Sequence, residues 1–124
     1  MYKGVEVVYN IEFYEDKRGN SEIINYLKEL RYKNNKDARI KLIKITSYIN
    51  QLSEKGLNLG QPYIKHIQDD IWELRPLRDR ILFANFYNNN IILLSIFVKK
   101  TDKTPKKEIE KAKRLLIDYL KRRE

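Results

Sequence analysis

Cysteine is absent and histidine occurs once, as His66. Disulfides, thiolate metal centres and histidine clusters are therefore excluded, and any chemistry has to come mainly from carboxylates, amines, guanidinium groups or phenols. No metal site and no other cofactor is expected. Proline and glycine are scarce, at three and four residues, and no repeat, linker or low-complexity tract interrupts the chain. Long apolar runs are missing too: the longest, Ile91–Val98 with Ser95 inside it, is too short to span a bilayer. The opening Met-Tyr-Lys-Gly-Val-Glu offers no apolar signal region, so a cytoplasmic protein with no membrane partner is expected.

What the chain has in excess is positive charge. It carries 26 Lys and Arg against 17 Asp and Glu, a net charge of +9 over 124 residues. A field of that sign attracts polyanions or an acidic protein, with nucleic acid as the first candidate. The excess lies toward the C-terminus, where residues 99–124 hold 11 basic and 5 acidic side chains. The length predicts one domain over residues 1–124, enough to bury roughly two-thirds of the unfolded surface.

From Val5 to Tyr14 apolar and polar residues alternate, as in a strand with one wetter face. After the turn Asp16–Asn20, Ile23, Leu27 and Leu30 recur at helical spacing and predict a helix to about Tyr32. Lys33-Asn34-Asn35-Lys36 breaks it. Ala38, Leu42, Ile45, Ile49 and Leu52 then form one stripe that Gly56 stops, making the second arm of a helical hairpin. Residues 56–70, with two Gly, Pro62 and Asp69-Asp70, read as a loop. Strands are expected over Ile71–Arg75, Arg80–Tyr87 and Ile91–Val98, joined by Pro76–Asp79 and Asn88–Asn90. Thr104 as N-cap and Pro105 as first helical residue start a last helix with Ile109, Ala112, Leu116 and Leu120 inward. The order is strand-helix-helix-strand-strand-strand-helix, an α+β two-layer domain with helices over one mainly antiparallel sheet.

Charged residues on strands that must pack are costly unless paired or used. Alternation puts Trp72 and Leu74 on one face of their strand and Glu73 and Arg75 on the other. Trp72 reads as a core anchor. Arg80 opens the next strand near Arg75, and Lys99 and Lys100 close the last one. One reading is a salt-bridge ladder across the sheet surface. The other is a site for cleaving RNA by attack of the 2′-hydroxyl on the adjacent phosphorus, whose transition state needs fixed cations. Arg75 and Arg80 would then grip the phosphate, Lys99 or Lys100 would add charge or move a proton, and Glu73 or Lys65 would take the 2′-proton. His66, a lone histidine in a loop beside Lys65, reads as structural or solvated. Lys106, Lys107 and the basic residues behind them form either a solvated helix face or a polyanion-facing one.

Taken together, Trp72-Glu73-Leu74-Arg75, Arg80 opening a strand, Phe97-Val98-Lys99-Lys100 closing one, and Lys103-Thr104-Pro105 before a helix resemble the RelE/HigB superfamily of type II toxins. The likeness is closest to the phage-derived HigB-like branch and covers about residues 62–114. It implies the RelE-like fold and an mRNA interferase: an endoribonuclease (a hydrolase that binds RNA) that cuts messenger RNA, usually on the ribosome, and inhibits translation. It also implies a HigA-like helix-turn-helix antitoxin from the same operon, with operator DNA bound only through that antitoxin. By position, Arg80 matches the arginine that holds the scissile phosphate and Lys100 the basic residue that stabilises the transition state. Glu73, Arg75 and Lys99 belong to the branch's own motif. Lys65, His66, Lys103, Lys106 and Lys107 are expected to bind RNA. Two other readings stay open: a ParE-like gyrase inhibitor of the same fold, and a non-enzymatic basic nucleic-acid-binding module.

Overall fold

A computed structural model describes residues 8–87 and 89–123. The order is β1 (Asn10–Phe13), α1 (Glu22–Lys33), α2 (Lys36–Lys55), a 3-10 turn (Gly56–Leu59), β2 (Ile64–Gln68), β3 (Ile71–Leu74), β4 (Asp79–Phe86), β5 (Asn90–Val98) and α3 (Lys106–Arg123). The five strands form one sheet in the order β1-β5-β4-β3-β2, with β1 parallel to β5 and every other pair antiparallel. This is the α+β, mainly antiparallel architecture that the sequence predicts, with one strand more. The N-terminal strand is shorter than expected among the described residues, and Val5, Glu6 and Val7 lie outside them.

Local chemistry sets the helix ends. The Ser21 hydroxyl accepts from the Ile24 N–H and starts α1, while Asn34, left-handed at φ 47°, closes it. Asn35 immediately caps α2 by accepting from the Ala38 N–H at 2.8 Å, so two adjacent asparagines make the hairpin turn. At φ 57°, Gly56 ends α2 with its N–H on the Leu52 carbonyl, and the Tyr9 ring packs against it where a Cβ would stand.

Each side of the sheet has its own core. Ile23, Leu30, Ala38, Ile45 and Leu52 of the hairpin meet Ile64, Leu74, Ile81, Phe83, Ile91 and Leu93. On the other side Ala112, Leu116 and Tyr119 of α3 meet Ile71, Leu82, Ala84, Ile92 and Leu94. Each fully buried aliphatic side chain contributes about 1.5–3 kcal/mol. The hairpin and sheet are the two main layers, and α3 crosses part of the opposite face. As its apolar sequence implies, β5 is an inner strand between β1 and β4. Trp72 is half-buried against the hairpin core.

The segment read as a loop contains β2. Its pattern is concealed because it is an edge strand with Lys65, His66 and Gln68 exposed and a register shift between His66 and Gln68. Among the described residues no helix is long and apolar enough to cross a membrane.

Candidate active site

The pairing register builds the site. Lys65 pairs with Glu73, Glu73 with Leu82 and Leu82 with Ser95, so these four share the α3 face. Arg80, two residues before Leu82, faces the same way. Instead of lying over an open sheet face, the charged residues gather at its margin, where the segment leading into α3 borders the ends of β3 and β4.

Glu73 is the hub. It is 3% exposed, yet it lies among donors on three sides. Thr104 donates its hydroxyl to Oε2 at 2.8 Å. Arg75 Nε lies 3.4 Å from Oε1 and Arg80 Nε 3.8 Å from the same oxygen. The Arg75 nitrogen makes a charge contact rather than an aligned hydrogen bond. One buried carboxylate thus brings two guanidinium groups together that would otherwise repel. Burial first, and then the Arg75 charge, pull the Arg80 guanidinium below its ordinary range, although an arginine stays cationic at any physiological pH.

Arg80 is also held from behind. Its Nη1 donates to the carbonyls of Leu77 at 2.8 Å and Asp79 at 2.9 Å. Beside it is a small notch lined by Glu73, Arg80, Phe97, Lys99, Lys100, Lys103 and Thr104. Lys99 Nζ is 3.5 Å from the exposed Asp102 carboxylate, a contact worth little in water. Across the Glu73–Thr104 bond opens a hollow of about 240 Å³ bordered by Lys65, Gln68, Arg75, Asp102, Lys103 and Ile109. The notch encloses only about 10 Å³, so it is a shallow cationic surface rather than a cavity, and the hollow is the larger of the two spaces.

Of the sequence candidates, Glu73, Arg75, Arg80, Lys99, Lys100, Lys103 and Lys65 come together here. His66 borders the hollow, but its strand position opposite Trp72 turns the ring to the hairpin side. There it lies 5.0 Å from the indole, with Nε2 2.7 Å from the Asp69 carbonyl. Lys106 and Lys107 are exposed on the first turn of α3 and line neither cavity.

Thr104 and Asp102 escape the sequence reading. Thr104 looks like an N-cap, but its hydroxyl goes to Glu73, and the Pro105 carbonyl accepts from the Glu108 and Ile109 N–H groups. A partner 31 residues away has no local signal. Tyr119 is buried beside Phe86 and Arg123, near the far end of α3, roughly 20 Å along the helix from its start. Among the described residues no three His, Asp or Glu side chains form a metal-binding group.

A search of curated proteins finds no match for the chain. The sequence model of a family described as phage derived protein Gp49-like (DUF891) matches residues 42–116, which include every residue of the site just described. Because that match spans well over half of its length, the chain belongs to the Gp49-like family, within the RelE/HigB-like toxin superfamily.

Proposed function

We propose that the protein is the toxin of a type II toxin-antitoxin system, on the HigB-like branch. In this reading it is a metal-independent endoribonuclease that cuts messenger RNA on the ribosome and so stops translation. The observation that carries the reading is the pairing of Arg75 and Arg80 on one buried carboxylate beside Lys99, Lys100 and Lys103. Family membership supports a toxin of this superfamily, and the net charge of +9 suits an RNA substrate.

In the proposed reaction the 2′-hydroxyl gives its proton to solvent as its oxygen attacks the neighbouring phosphorus, the bond to the 5′-oxygen of the next nucleotide breaks, that oxygen takes a proton from Lys99 or Lys100, and a 2′,3′-cyclic phosphate remains. Negative charge grows on the non-bridging oxygens. Arg80 meets it already oriented, with Nη1 hydrogen-bonded to two backbone carbonyls and Nε in charge contact with Glu73 at 3.8 Å, so little reorganisation is needed when the charge develops. Lys99 and Lys100 add charge from the other side of the notch, and Arg75 and Lys65 hold the adjoining nucleotide over the hollow. Glu73, enclosed by Thr104 and two arginines, acts as the anchor of this array rather than as its base. A HigA-like helix-turn-helix antitoxin is the proposed partner.

Purified protein, ribosomes and a defined messenger RNA, scored by primer extension, test the proposal. Cuts within the codon at the ribosomal decoding site, ending in cyclic or 3′-phosphate, are expected. Inhibition of gyrase supercoiling without cuts would replace it with the ParE-like reading, and RNA binding without cuts with the binding-module reading.

A further inference from the structure

Asp79 is a carboxylate with no solvent exposure, 0%, and the reaction described above gives it no task. It opens β4 one residue before Arg80, so alternation sends its side chain to the hairpin face while Arg80 goes to the α3 face. There Oδ1 accepts from the Tyr26 hydroxyl of α1 at 2.9 Å and lies 3.5 Å from Lys41 Nζ of α2. Lys41 Nζ also sits 5.3 Å from the centre of the Tyr26 ring. Among the described residues Oδ2 has no hydrogen-bond partner. Packing does not call for such a group, since an apolar residue of similar volume is commonly easier to bury.

The backbone of the same residue reaches the other face. Arg80 Nη1 is held by the Asp79 and Leu77 carbonyls, and both belong to the turn that the Asp79 N–H closes on the Pro76 carbonyl at 3.0 Å. Leu77 stands in that turn at φ 57°, a left-handed conformation that leucine keeps only when its surroundings fix it. Leu77 and Arg78 are exposed. At the far end the Asp79 side chain fastens the turn to both arms of the hairpin.

We infer that Asp79, Tyr26 and Lys41 are positioning residues: by tying the turn to the helical hairpin they hold the Arg80 guanidinium in place on the opposite face of the sheet. The inference rests on the proposed function for what Arg80 does, but the geometry it concerns can be measured without RNA.

The Nε–H signal of Arg80 in ¹⁵N-labelled protein, assigned by its loss in Arg80→Lys, reports that geometry directly. Tyr26→Phe and Lys41→Met each remove one partner at nearly constant size, and Lys41 is partly exposed, so its variant disturbs packing least. In both, the Arg80 signal is expected to move toward that of a free arginine and to exchange with water about tenfold faster. The turnover number for RNA cleavage is expected to fall about tenfold or more with KM within about twofold, as for a misplaced group that is still present. A lower melting temperature with an unmoved Arg80 signal would overturn the inference, because that is the mark of a purely structural ion pair. If wild-type protein does not cut RNA while the Arg80 signal responds as described, positioning stands and the nuclease reading falls.

Discussion

Thr104 donates its hydroxyl to Glu73 Oε2 at 2.8 Å and thereby ties the start of α3 to the middle of β3. The other carboxylate oxygen is shared by Arg75 and Arg80, so one buried group fixes a helix start and two guanidiniums together. Replacing Thr104 with Val keeps the shape and removes the donor. Oε2 of the buried carboxylate then loses its hydrogen-bond donor, and the free energy of unfolding is expected to fall by about 1–3 kcal/mol. Urea melts check this: the midpoint drops with an unchanged slope, and Thr104→Ser restores it. A midpoint equal to wild type would show that the bond contributes nothing in solution.

Arg80→Ala is expected to abolish toxicity in cells and to slow RNA cleavage by on the order of 10²-fold or more. The same substitution frees the Leu77 and Asp79 carbonyls and leaves Glu73 with one guanidinium fewer. A loss of stability is therefore expected, on the order of 3 kcal/mol for breaking a buried charge contact. Circular dichroism at the assay temperature separates the two effects. Full toxicity in a folded variant would remove Arg80 from the mechanism.

Much of the fold could be read because periodicity is local. The stripe Ala38, Ile45 and Leu52 is buried as its spacing implies, and the turn Pro76–Asp79 falls where proline and aspartate set it. Ile64–Gln68 does not show as a strand in the sequence because an edge strand with three exposed polar residues and a bulge lacks clean alternation. For the site, strand alternation suffices to put Glu73 and Arg75 on one face and to bring Arg80 near them. It says nothing of Thr104, whose partner comes from tertiary folding, or of Asp79, whose burial depends on two helices arriving above it. For His66, a place beside Lys65 in sequence does not give a shared face, because neighbours on a strand point to opposite faces, and only the edge position of the strand lets both residues border the hollow.

Tyr119 is expected to set an alkaline limit on stability. Burial, and then the nearby Glu12 carboxylate, push its phenol up to about 12 from an ordinary 10.0, with Arg123 opposing. The folded state therefore favours the neutral phenol. Its stabilising effect is fully present below pH 10, where the unfolded chain is still protonated, and is lost as pH rises through about 12. The expected loss over that window is on the order of 2–3 kcal/mol. Denaturant melts from pH 9 to 12 should show a steeper decline in wild type than in Tyr119→Phe, and equal slopes would mean that another group sets the limit.

The C-terminal run Lys121-Arg122-Arg123 adds to the basic excess of residues 99–124, but two of its three cations are engaged at home. Arg122 pairs with Asp118, donates to the Glu15 carbonyl and lies over the Tyr14 ring. Arg123 pairs with Glu12 and lies over the rings of Phe86 and Tyr119. Leu120 packs against the α3 core. The exposed ion pairs add little, whereas the lost apolar burial and cation–π contacts total about 2–3 kcal/mol. Deleting residues 120–124 is therefore expected to lower the melting temperature by about 5–15 °C. RNA cleavage at 20 °C should survive, because the tail sits at the opposite end of α3 from Thr104 and the notch. An unchanged melting temperature would mean that the tail is free after all and available for a partner. Loss of cleavage in protein that is still folded would instead put the tail in contact with the substrate.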